Sequence, residues 1–216
     1  MKRLLPLLAA LALLCPCAPA LARDVGTWEM FNVDARPAPE SRWILHTDLH
    51  ARRMAGRFQA LLRPGVGFEI MPGLTLWGGY TWVPVHTDAN EDHSQHDVWQ
   101  QVQYTHRFVD KLNVLLRERI EERFDETADG LSLRLRGMAR VGYLIHPALE
   151  MALWDESFVN LNGQDWASKG FQENRAFAGP AFHFPGARIE VGYMNQYVHA
   201  SETMAHVVMT AFFVNY

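Results

Sequence analysis

The sequence contains few cysteines and, beyond its first residues, no long hydrophobic run. Its 2 cysteines, Cys15 and Cys17, both lie in the N-terminal stretch MKRLLPLLAALALLCPCAPALA, so the rest of the chain can form no disulfide. Small exported domains often depend on disulfides, so this chain must be stabilised in another way. No later stretch is long enough to span a membrane as a helix, which takes about 20 apolar residues. These absences exclude a disulfide-stapled domain and a helical membrane protein.

The N-terminal stretch has the layout of a secretory signal peptide. A basic start at Lys2 and Arg3 precedes an apolar run that ends in the small-x-small triplet Ala20-Leu21-Ala22. A membrane anchor would need a longer run, and Pro16 and Pro19 interrupt this one. We therefore predict that residues 1–22 are removed and that the protein is exported.

The charge balance argues against nucleic acid as a partner. The formal net charge is −4, and it becomes more negative when Lys2 and Arg3 leave with the signal peptide. Nucleic-acid binding depends on basic residues that neutralise phosphates. Nothing in the composition suggests such a partner.

Most of the remaining chain alternates with a period of two, which is typical of β-strands. Between positions 43 and 52, one face carries Trp43, Leu45 and Leu49, whereas the other carries Asp48 and Arg52. Residues 57–70 and 131–145 separate in the same way into an apolar face and a polar face rich in arginine. The sequence therefore predicts strands with one apolar side.

The stretch NVLLRERIEERFDETADGLSLRLRGMARVGYLI, residues 113–145, contains the most ambiguous element. Its first half could form a helix, because Leu116, Ile120 and Phe124 recur at intervals of four. With a period of two, the arginines share a face, but Glu118 and Glu122 fall on the apolar face. We favour a strand here, either bulged or with a low-lying Glu118, because both neighbouring segments alternate.

Short and long connections alternate along the chain. Tight turns such as Pro72-Gly73 and Pro185-Gly186 are separated by the longer polar segments 85–96, 125–130, 161–170 and 199–204. Transmembrane β-barrels distribute periplasmic turns and extracellular loops in this way. We predict an all-β fold, a transmembrane antiparallel up-and-down β-barrel of about ten strands with twelve as the alternative. The predicted strands cover residues 42–52, 57–70, 74–84, 97–108, 111–124, 131–145, 148–160, 171–184, 187–198 and 205–216.

The segment before the barrel is harder to place. The barrel occupies residues 42–216, and residues 23–41 precede it. If all neighbouring strands are antiparallel, parity excludes a single extra strand. Residues 23–41 are then a periplasmic tail, a lumen insert or part of an extra strand pair.

Outward aromatic residues are predicted to form girdles at the two membrane interfaces. A soluble barrel or sandwich would instead bury this face. The predicted girdle consists of Trp43, Phe58, Phe68, Trp82, Phe108, Phe124, Tyr143, Phe184, Tyr197 and Tyr216.

The C-terminal strand HVVMTAFFVNY ends on an outward aromatic residue. It resembles the terminal strand by which the outer-membrane assembly machinery recognises its clients. We therefore expect a monomer in the outer membrane of a Gram-negative bacterium, with the surrounding lipid and this machinery as its partners.

Six short stretches resemble a known family. WQQVQY, RERIEER, RLRGMARVGY, WDESFVN, QENRAFAG and EVGYMNQY occur in this order between residues 99 and 197. Together with Trp28 they resemble domain of unknown function 2490, a family of bacterial proteins predicted to be outer-membrane β-barrels. Where the family has an acidic-then-basic pair, this chain has His96 and Asp97. The resemblance implies the barrel and no activity.

The inward face is predicted to carry a network of arginines and carboxylates. A barrel of about ten strands is little wider than an eight-stranded one, whose interior side chains fill. The predicted lumen network consists of Asp48, Arg52, Glu69, Arg117, Arg119, Glu121, Arg123, Arg134, Arg136, Arg140, Glu150, Glu156, Arg175, Arg188 and Glu190. We expect a structural or interaction role. The excess of arginine leaves open a narrow channel or an anion-binding site.

Enzymatic and metal-binding roles have weaker support. His46, Asp48 and His50 share one face, but no serine lies at a hydrolase-like spacing, so a lipid-modifying hydrolase at the rim remains only an alternative. The loop HTDANEDHSQHD could hold a divalent cation, but its potential ligands have no fixed spacing. We predict no catalytic residue, no metal ligand and no cofactor.

Overall fold

The computed structural model describes residues 24–54, 57–87 and 92–216. These residues form eleven strands and a closed barrel. The strands are β1 (Asp24–Ala35), β2 (Trp43–Met54), β3 (Arg57–Met71), β4 (Leu74–Thr87), β5 (His93–Phe108), β6 (Leu112–Asp125), β7 (Ala128–His146), β8 (Leu149–Asn160), β9 (Gly170–Phe184), β10 (Ala187–Val198) and β11 (Thr203–Asn215). No helix in this part of the chain is both long and apolar enough to cross a membrane.

The all-β barrel predicted from the sequence is confirmed, and its ten predicted strands correspond to β2–β11. Consecutive strands from β1 to β11 pair antiparallel throughout. The period of two was sufficient to find these strands because it depends only on the alternation of side chains along each one. The predicted signal peptide, residues 1–22, lies outside the described residues.

The eleventh strand is β1, which the sequence did not place. It pairs antiparallel with β2 and parallel with β11, with Trp28 opposite Met209. The segment is therefore a single strand of the barrel, and not a tail, an insert or half of a strand pair. The parity rule assumed antiparallel pairing at every seam. One parallel seam allows an odd number of strands to close.

The ambiguous segment β6 is a strand along its whole length. Arg119 and Glu121 are buried on its inner face, while Glu118 lies exposed on its outer face, opposite Gly137 of β7. The ladder between β6 and β7 is interrupted only between Arg123 and Asp125, at the end of the strand. The bulge that we considered near Glu118 is therefore absent from that position.

Two of the longer connections are tighter than predicted: β4 extends to Thr87 and β5 begins at His93, within the predicted loop 85–96, and the loop 125–130 is also shorter. Gly73 and Gly186 occupy the expected turns with φ of 82° and 70°, a left-handed conformation that glycine adopts without steric cost. The predicted long loop 125–130 is wrong, because β6 reaches Asp125 and β7 begins at Ala128. The polar residues of that segment belong mostly to strand ends.

The interior of the barrel has two chemically different sides. An apolar cluster with Trp28, Phe177, Met194 and Met209 comes from β1 and β8–β11. Buried arginines, carboxylates and glutamines come mainly from β5–β8. Because these sides face one another across the closed sheet, the lumen is polar on one wall and apolar on the other.

Candidate functional site

The centre of the interior charge network is formed by two glutamates and the arginines around them. Arg136 donates to Glu121 Oε1 at 2.7 Å and to Glu156 Oε1 at 2.8 Å. Arg134 donates to the other oxygen of Glu121 at 2.6 Å, and Arg117 donates to Glu156 at 2.7 Å. Glu121 and Glu156 are almost completely buried. Charge-assisted hydrogen bonds of this kind compensate for the loss of hydration.

A second group of charges lies nearer to the C-terminal end of the barrel. Arg140 connects Glu150 and Glu190, with donor–acceptor distances of 2.5 and 2.6 Å. Asn113 also donates to Glu150, and Arg188 Nε lies 3.1 Å from Glu190 Oε1. Glu150 is therefore held by Arg140 and Asn113.

A third group joins β1, β2 and β3. Arg63 donates to Asp48 Oδ2 at 2.7 Å, and the Nε1 of Trp28 donates to His50 Nδ1 at 3.1 Å. An indole N–H can only donate, so His50 Nδ1 must be the acceptor and Nε2 carries the hydrogen. Nε2 in turn faces Asp48 Oδ1 at 2.6 Å. Nδ1 of His50 thus accepts a hydrogen bond, and Nε2 lies at ion-pair distance from a carboxylate.

Stacked aromatic rings and guanidinium groups cross the middle of the lumen. Arg175 lies 4.5 Å from the ring centre of Trp28 and 4.3 Å from that of Phe158. Arg136 lies 4.6 Å from the ring centre of the same Phe158, and Arg52 lies 5.0 Å from the ring centre of Trp28. We call Trp28, Arg63, Arg136, Phe158 and Arg175 the partition, because they lie between two cavities: Phe158 lines one of them, and the other four residues line both.

The upper chamber lies on the side of the partition near the ends of β5 and β6 that carry Gln95 and Arg123. It has a volume of about 100 Å³. The lower chamber lies on the side that carries the C-terminus and has a volume of about 310 Å³. Its lining extends from the partition to Thr105 and Asn215, near the ends of β5 and β11.

Most residues of the predicted network take part in these contacts, with two clear differences. Glu69 pairs with Arg36 at 2.7 Å beside a turn, away from the central groups. Arg52 lies over Trp28 and, among the described residues, has no carboxylate partner at ion-pair distance. The others with an ionic contact are Asp48, Arg117, Arg119, Glu121, Arg123, Arg134, Arg136, Arg140, Glu150, Glu156, Arg175, Arg188 and Glu190.

Arg119 differs from the other arginines in this group. Its Nε and Nη2 both donate to the neutral Oε1 of Gln101, at 2.9 and 2.6 Å. The nearest carboxylate oxygen, Glu121 Oε1, lies 3.7 Å from Nη1. Its guanidinium group also lies 4.4 Å from the ring centre of Trp99. Arg119 is therefore buried with a neutral hydrogen-bond partner.

The sequence analysis missed several residues of the site. Asp97 lies 3.5 Å from Arg123, and Glu173 pairs with Arg175. Trp99 and Phe158 are 1% exposed and lie beneath arginines. The period of two assigns Trp99 to the inner face, because it is two positions from the buried Gln101.

The predicted girdle residues lie near the ends of the strands. Trp43 packs against Phe68 with 4.8 Å between ring centroids, and Phe68 is the more buried of the two. Tyr197, also partly buried, stacks on Phe171 at 6.3 Å. The exposed members are Trp43, Phe58, Trp82, Phe108, Phe124, Tyr143, Phe184 and Tyr216.

The sequence matches a family model described as "Protein of unknown function (DUF2490)" over residues 25–206. The chain belongs to this family. It is also similar to an uncharacterized protein of Methylorubrum extorquens, with 28% identity over 166 residues, which covers 73% of each chain. These likenesses support the family assignment and name no activity.

The stretches that resemble DUF2490 meet inside the barrel. WQQVQY supplies Trp99 and Gln101, and RERIEER supplies Arg119 and Glu121. RLRGMARVGY, WDESFVN, QENRAFAG and EVGYMNQY supply Arg136, Glu156, Arg175 and Glu190. Segments that are distant in the sequence thus build one interior.

The pair His96 and Asp97 divides between the two faces of this DUF2490 barrel. Asp97 points inward to Arg123, whereas His96 lies outside, with its Nε2 3.1 Å from Glu126 Oε1 and its Nδ1 beside the Tyr80 hydroxyl. This contact with His96 lowers the pKa of the Glu126 carboxyl in the turn after β6. The pair is therefore part of two separate contacts.

No arrangement of three or more potential metal ligands is present in the described part of the chain. Of the proposed cation ligands, Asp88 and Glu91 lie outside that part. Asp125 accepts hydrogen bonds from Gln95 and Thr127 near the same loop. The described residues thus give a cation site in this loop no support.

Proposed function

We propose that this DUF2490 protein is an outer-membrane β-barrel with a closed lumen, and that it has a structural or ligand-binding role and does not conduct solutes. The proposed location is supported by the signal-peptide pattern and by the exposed apolar outer face. Leu45, Leu49, Val102 and Leu116 are exposed on that face, each at a position whose neighbours point inward. Removing such apolar area from water is favourable by roughly 25 cal/mol per Å², so a lipid environment would stabilise it.

The observation that carries the proposed role is the partition. Arg175 is held between Trp28 and Phe158, and Arg63 and Arg136 are each held by carboxylates. A solute passing through the barrel would have to break these contacts. A pore that conducts needs binding weak enough to release each solute, and this arrangement is tightly paired.

We further propose that the arginine–carboxylate network acts as the core of the barrel. In a soluble protein, apolar side chains would fill this space. Here hydrocarbon would surround the outside, so charged residues can only be accommodated within. Each pair costs hydration energy, but it leaves no charge without compensation once both partners are present.

A narrow anion channel is the second candidate. Arg52 and Arg119 favour it, because one lies on each side of the partition and neither makes a hydrogen bond to a carboxylate. If the partition moved aside, the two arginines would form successive anion sites. This candidate therefore requires an opening event that the closed-lumen proposal does not.

The location is tested by separating membranes on a density gradient and following the protein. We expect it in the outer-membrane fraction, with a mobility on gels that changes on heating, as barrels of this kind show. Recovery of the native protein in the soluble fraction would overturn the proposed location.

The role is tested by planar-bilayer conductance of the purified protein. We expect no unitary conductance from the wild type, whereas the double variant Trp28→Ala/Phe158→Ala, which removes both rings that hold Arg175, should conduct. The matched control is Trp82→Ala, because Trp82 is an aromatic residue exposed on the outer face. Anion-selective conductance from the wild type would favour the channel and overturn the closed lumen.

A further inference from the structure

The two walls of the lower chamber differ in chemistry. Its apolar wall includes Met30, Met194, Met209, Ala211 and Phe213, which come from β1, β10 and β11. The facing wall includes Gln101, Gln103, Arg117 and Arg119 from β5 and β6. In a water-filled lumen the apolar wall would be unfavourable, because apolar area in contact with water raises the free energy.

Several buried N–H donors on residues that line the lower chamber make no hydrogen bond to a described residue, and three of them lie on β4, β5 and β6. These three are the Nε1 groups of Trp77 and Trp99 and the Nη1 of Arg119. A buried donor without an acceptor costs about 1–3 kcal/mol. An occupant that carries acceptor oxygens would satisfy such groups.

The charge at this wall matches a single negative group. Arg117 already donates to Glu156, and Arg140 is shared by Glu150 and Glu190. Arg119 donates only to the neutral Gln101. Of the three, Arg119 therefore has the least compensated charge, since its nearest carboxylate oxygen lies 3.7 Å away. The planar guanidinium group suits a carboxylate or a phosphate.

We infer that the lower chamber binds a small amphipathic carboxylate. Its anionic group would lie at Arg119 and Trp99, and its apolar body would lie against Met194, Met209 and Ala211. Methionine side chains adapt to the shape of an apolar ligand. The volume of about 310 Å³ lies at the lower limit for small-molecule sites, so a medium-chain acyl carboxylate fits and a whole lipid does not.

The binding experiment uses octanoate and the full-length exported barrel in lipid nanodiscs. Heats of binding are measured by titration calorimetry, with empty nanodiscs subtracted. Tryptophan fluorescence gives a second readout, because Trp77 and Trp99 line the chamber. We expect saturable binding of one octanoate per barrel. Butyrate lacks the apolar body and octanol lacks the charge, so each should bind at least tenfold more weakly.

Variants locate the site. Arg119→Gln removes the charge without leaving a hydrogen-bonded carboxylate unpaired, and Ala211→Phe fills the chamber from the opposite wall. We expect each to weaken octanoate binding at least tenfold. Arg52→Gln is the matched control, because Arg52, like Arg119, makes no hydrogen bond to a carboxylate but lines the upper chamber. The octanoate affinity of Arg52→Gln should stay within twofold of the wild type, and Arg119→Lys should retain part of the wild-type affinity.

Several outcomes would overturn the inference. These are a signal no larger than that of empty nanodiscs, octanol or butyrate binding as tightly as octanoate, or loss of affinity in Arg52→Gln but not in Arg119→Gln. The comparison of the three ligands needs only the wild type, so it does not depend on the folding of any variant.

The inference rests on the closed lumen proposed above, but the two can fail separately. A conducting wild-type barrel that binds octanoate would overturn the closed lumen alone. A non-conducting barrel without octanoate binding would overturn only the ligand.

Discussion

The interior arginines differ in how many buried carboxylates would lose a partner if each arginine were replaced. Arg136 holds two buried carboxylates, whereas Arg52 holds none among the described residues. A charge that loses its only partner is left uncompensated in a medium of low polarity, and that is where large destabilisation arises. The arginines of this lumen should therefore have very unequal effects on stability.

Replacing Arg136 by alanine should destabilise the barrel by about 3 kcal/mol, at the lower end of the range for breaking a buried pair. Glu121 keeps Arg134 and Glu156 keeps Arg117, which limits the loss. Denaturant unfolding in lipid vesicles measures this change. Leu135→Ala, at an outward position next to Arg136, is the control and should cost less. Equal losses for the two variants would contradict the inward pairing.

Two adjacent glycines of β4 offer a sharper comparison. A Cβ added at Gly79 would lie 2.3 Å from Trp99 Cζ2 and 2.4 Å from the carbonyl oxygen of Pro64, whereas one at Gly78 meets only the carbonyl oxygen of Trp99 at 3.8 Å. Gly79→Ala should therefore cost about 1–3 kcal/mol through overpacking. It should also alter the fluorescence of Trp99. Gly78→Ala should leave both quantities nearly unchanged. If Gly79→Ala changed neither the stability nor the fluorescence of Trp99, then Trp99 would not lie over this glycine.

At the scale of whole elements, β1 affects both the closure of the barrel and the structure of its interior. It closes the barrel by pairing parallel with β11, and it supplies Trp28 to the partition. The strand that makes an odd number possible is thus also the strand that completes the interior. Removing β1 would open the seam and take away one of the two rings that hold Arg175.

The parallel seam can be tested with a disulfide. Phe31 and Phe212 are register partners, and both are exposed on the outer face. Cysteines at these two positions should therefore crosslink on oxidation, because a disulfide requires Cα atoms within about 7 Å. Residues 24–216 contain no natural cysteine to compete.

The control places cysteines at Phe31 and Val208. Val208 is the partner of Thr27 and lies four positions out of register with Phe31, which is roughly 13 Å along a strand. Crosslinking in the control pair, or its absence in the Phe31 and Phe212 pair, would contradict the parallel seam.

At the scale of the whole molecule, closure depends on both ends of the described chain. Tyr216 donates its backbone N–H to the carbonyl of Asp34 at 2.9 Å, and Arg36 donates to the carbonyl of Tyr216 at the same distance. The side chain of Tyr216 is 81% exposed. Its ring is thus exposed while its backbone completes the seam.

Deleting Tyr216 should lower the folded fraction recovered from the membranes, because it removes both backbone hydrogen bonds and the terminal aromatic ring. Tyr216→Phe keeps the bonds and the ring, so it should assemble like the wild type. Heat-modifiable mobility on gels gives the folded fraction in each case. Assembly of the deletion variant at the wild-type level would contradict a role for this residue.

The strands illustrate how much could be predicted. The predicted segment 187–198 coincides with β10, and the segment 57–70 lies within one residue of β3. Both could be predicted because the alternation of their two faces involves only neighbouring residues. The segment 24–35 was not predicted as a strand, because Glu29 and Phe31 share its outer face and its alternation is therefore weak. In addition, the parity rule assumed an antiparallel seam where the seam is parallel.

The sequence by itself determined which side of each strand is charged, since alternation is a property of neighbouring residues and needs no fold. It therefore placed Arg119, Glu121 and Arg136 on one face. Only the tertiary structure decided that Arg119 binds Gln101, that Glu150 binds Arg140 and that Trp28 meets Arg175. These partners lie on different strands, and their proximity depends on the register and closure of the whole barrel, which no local pattern encodes.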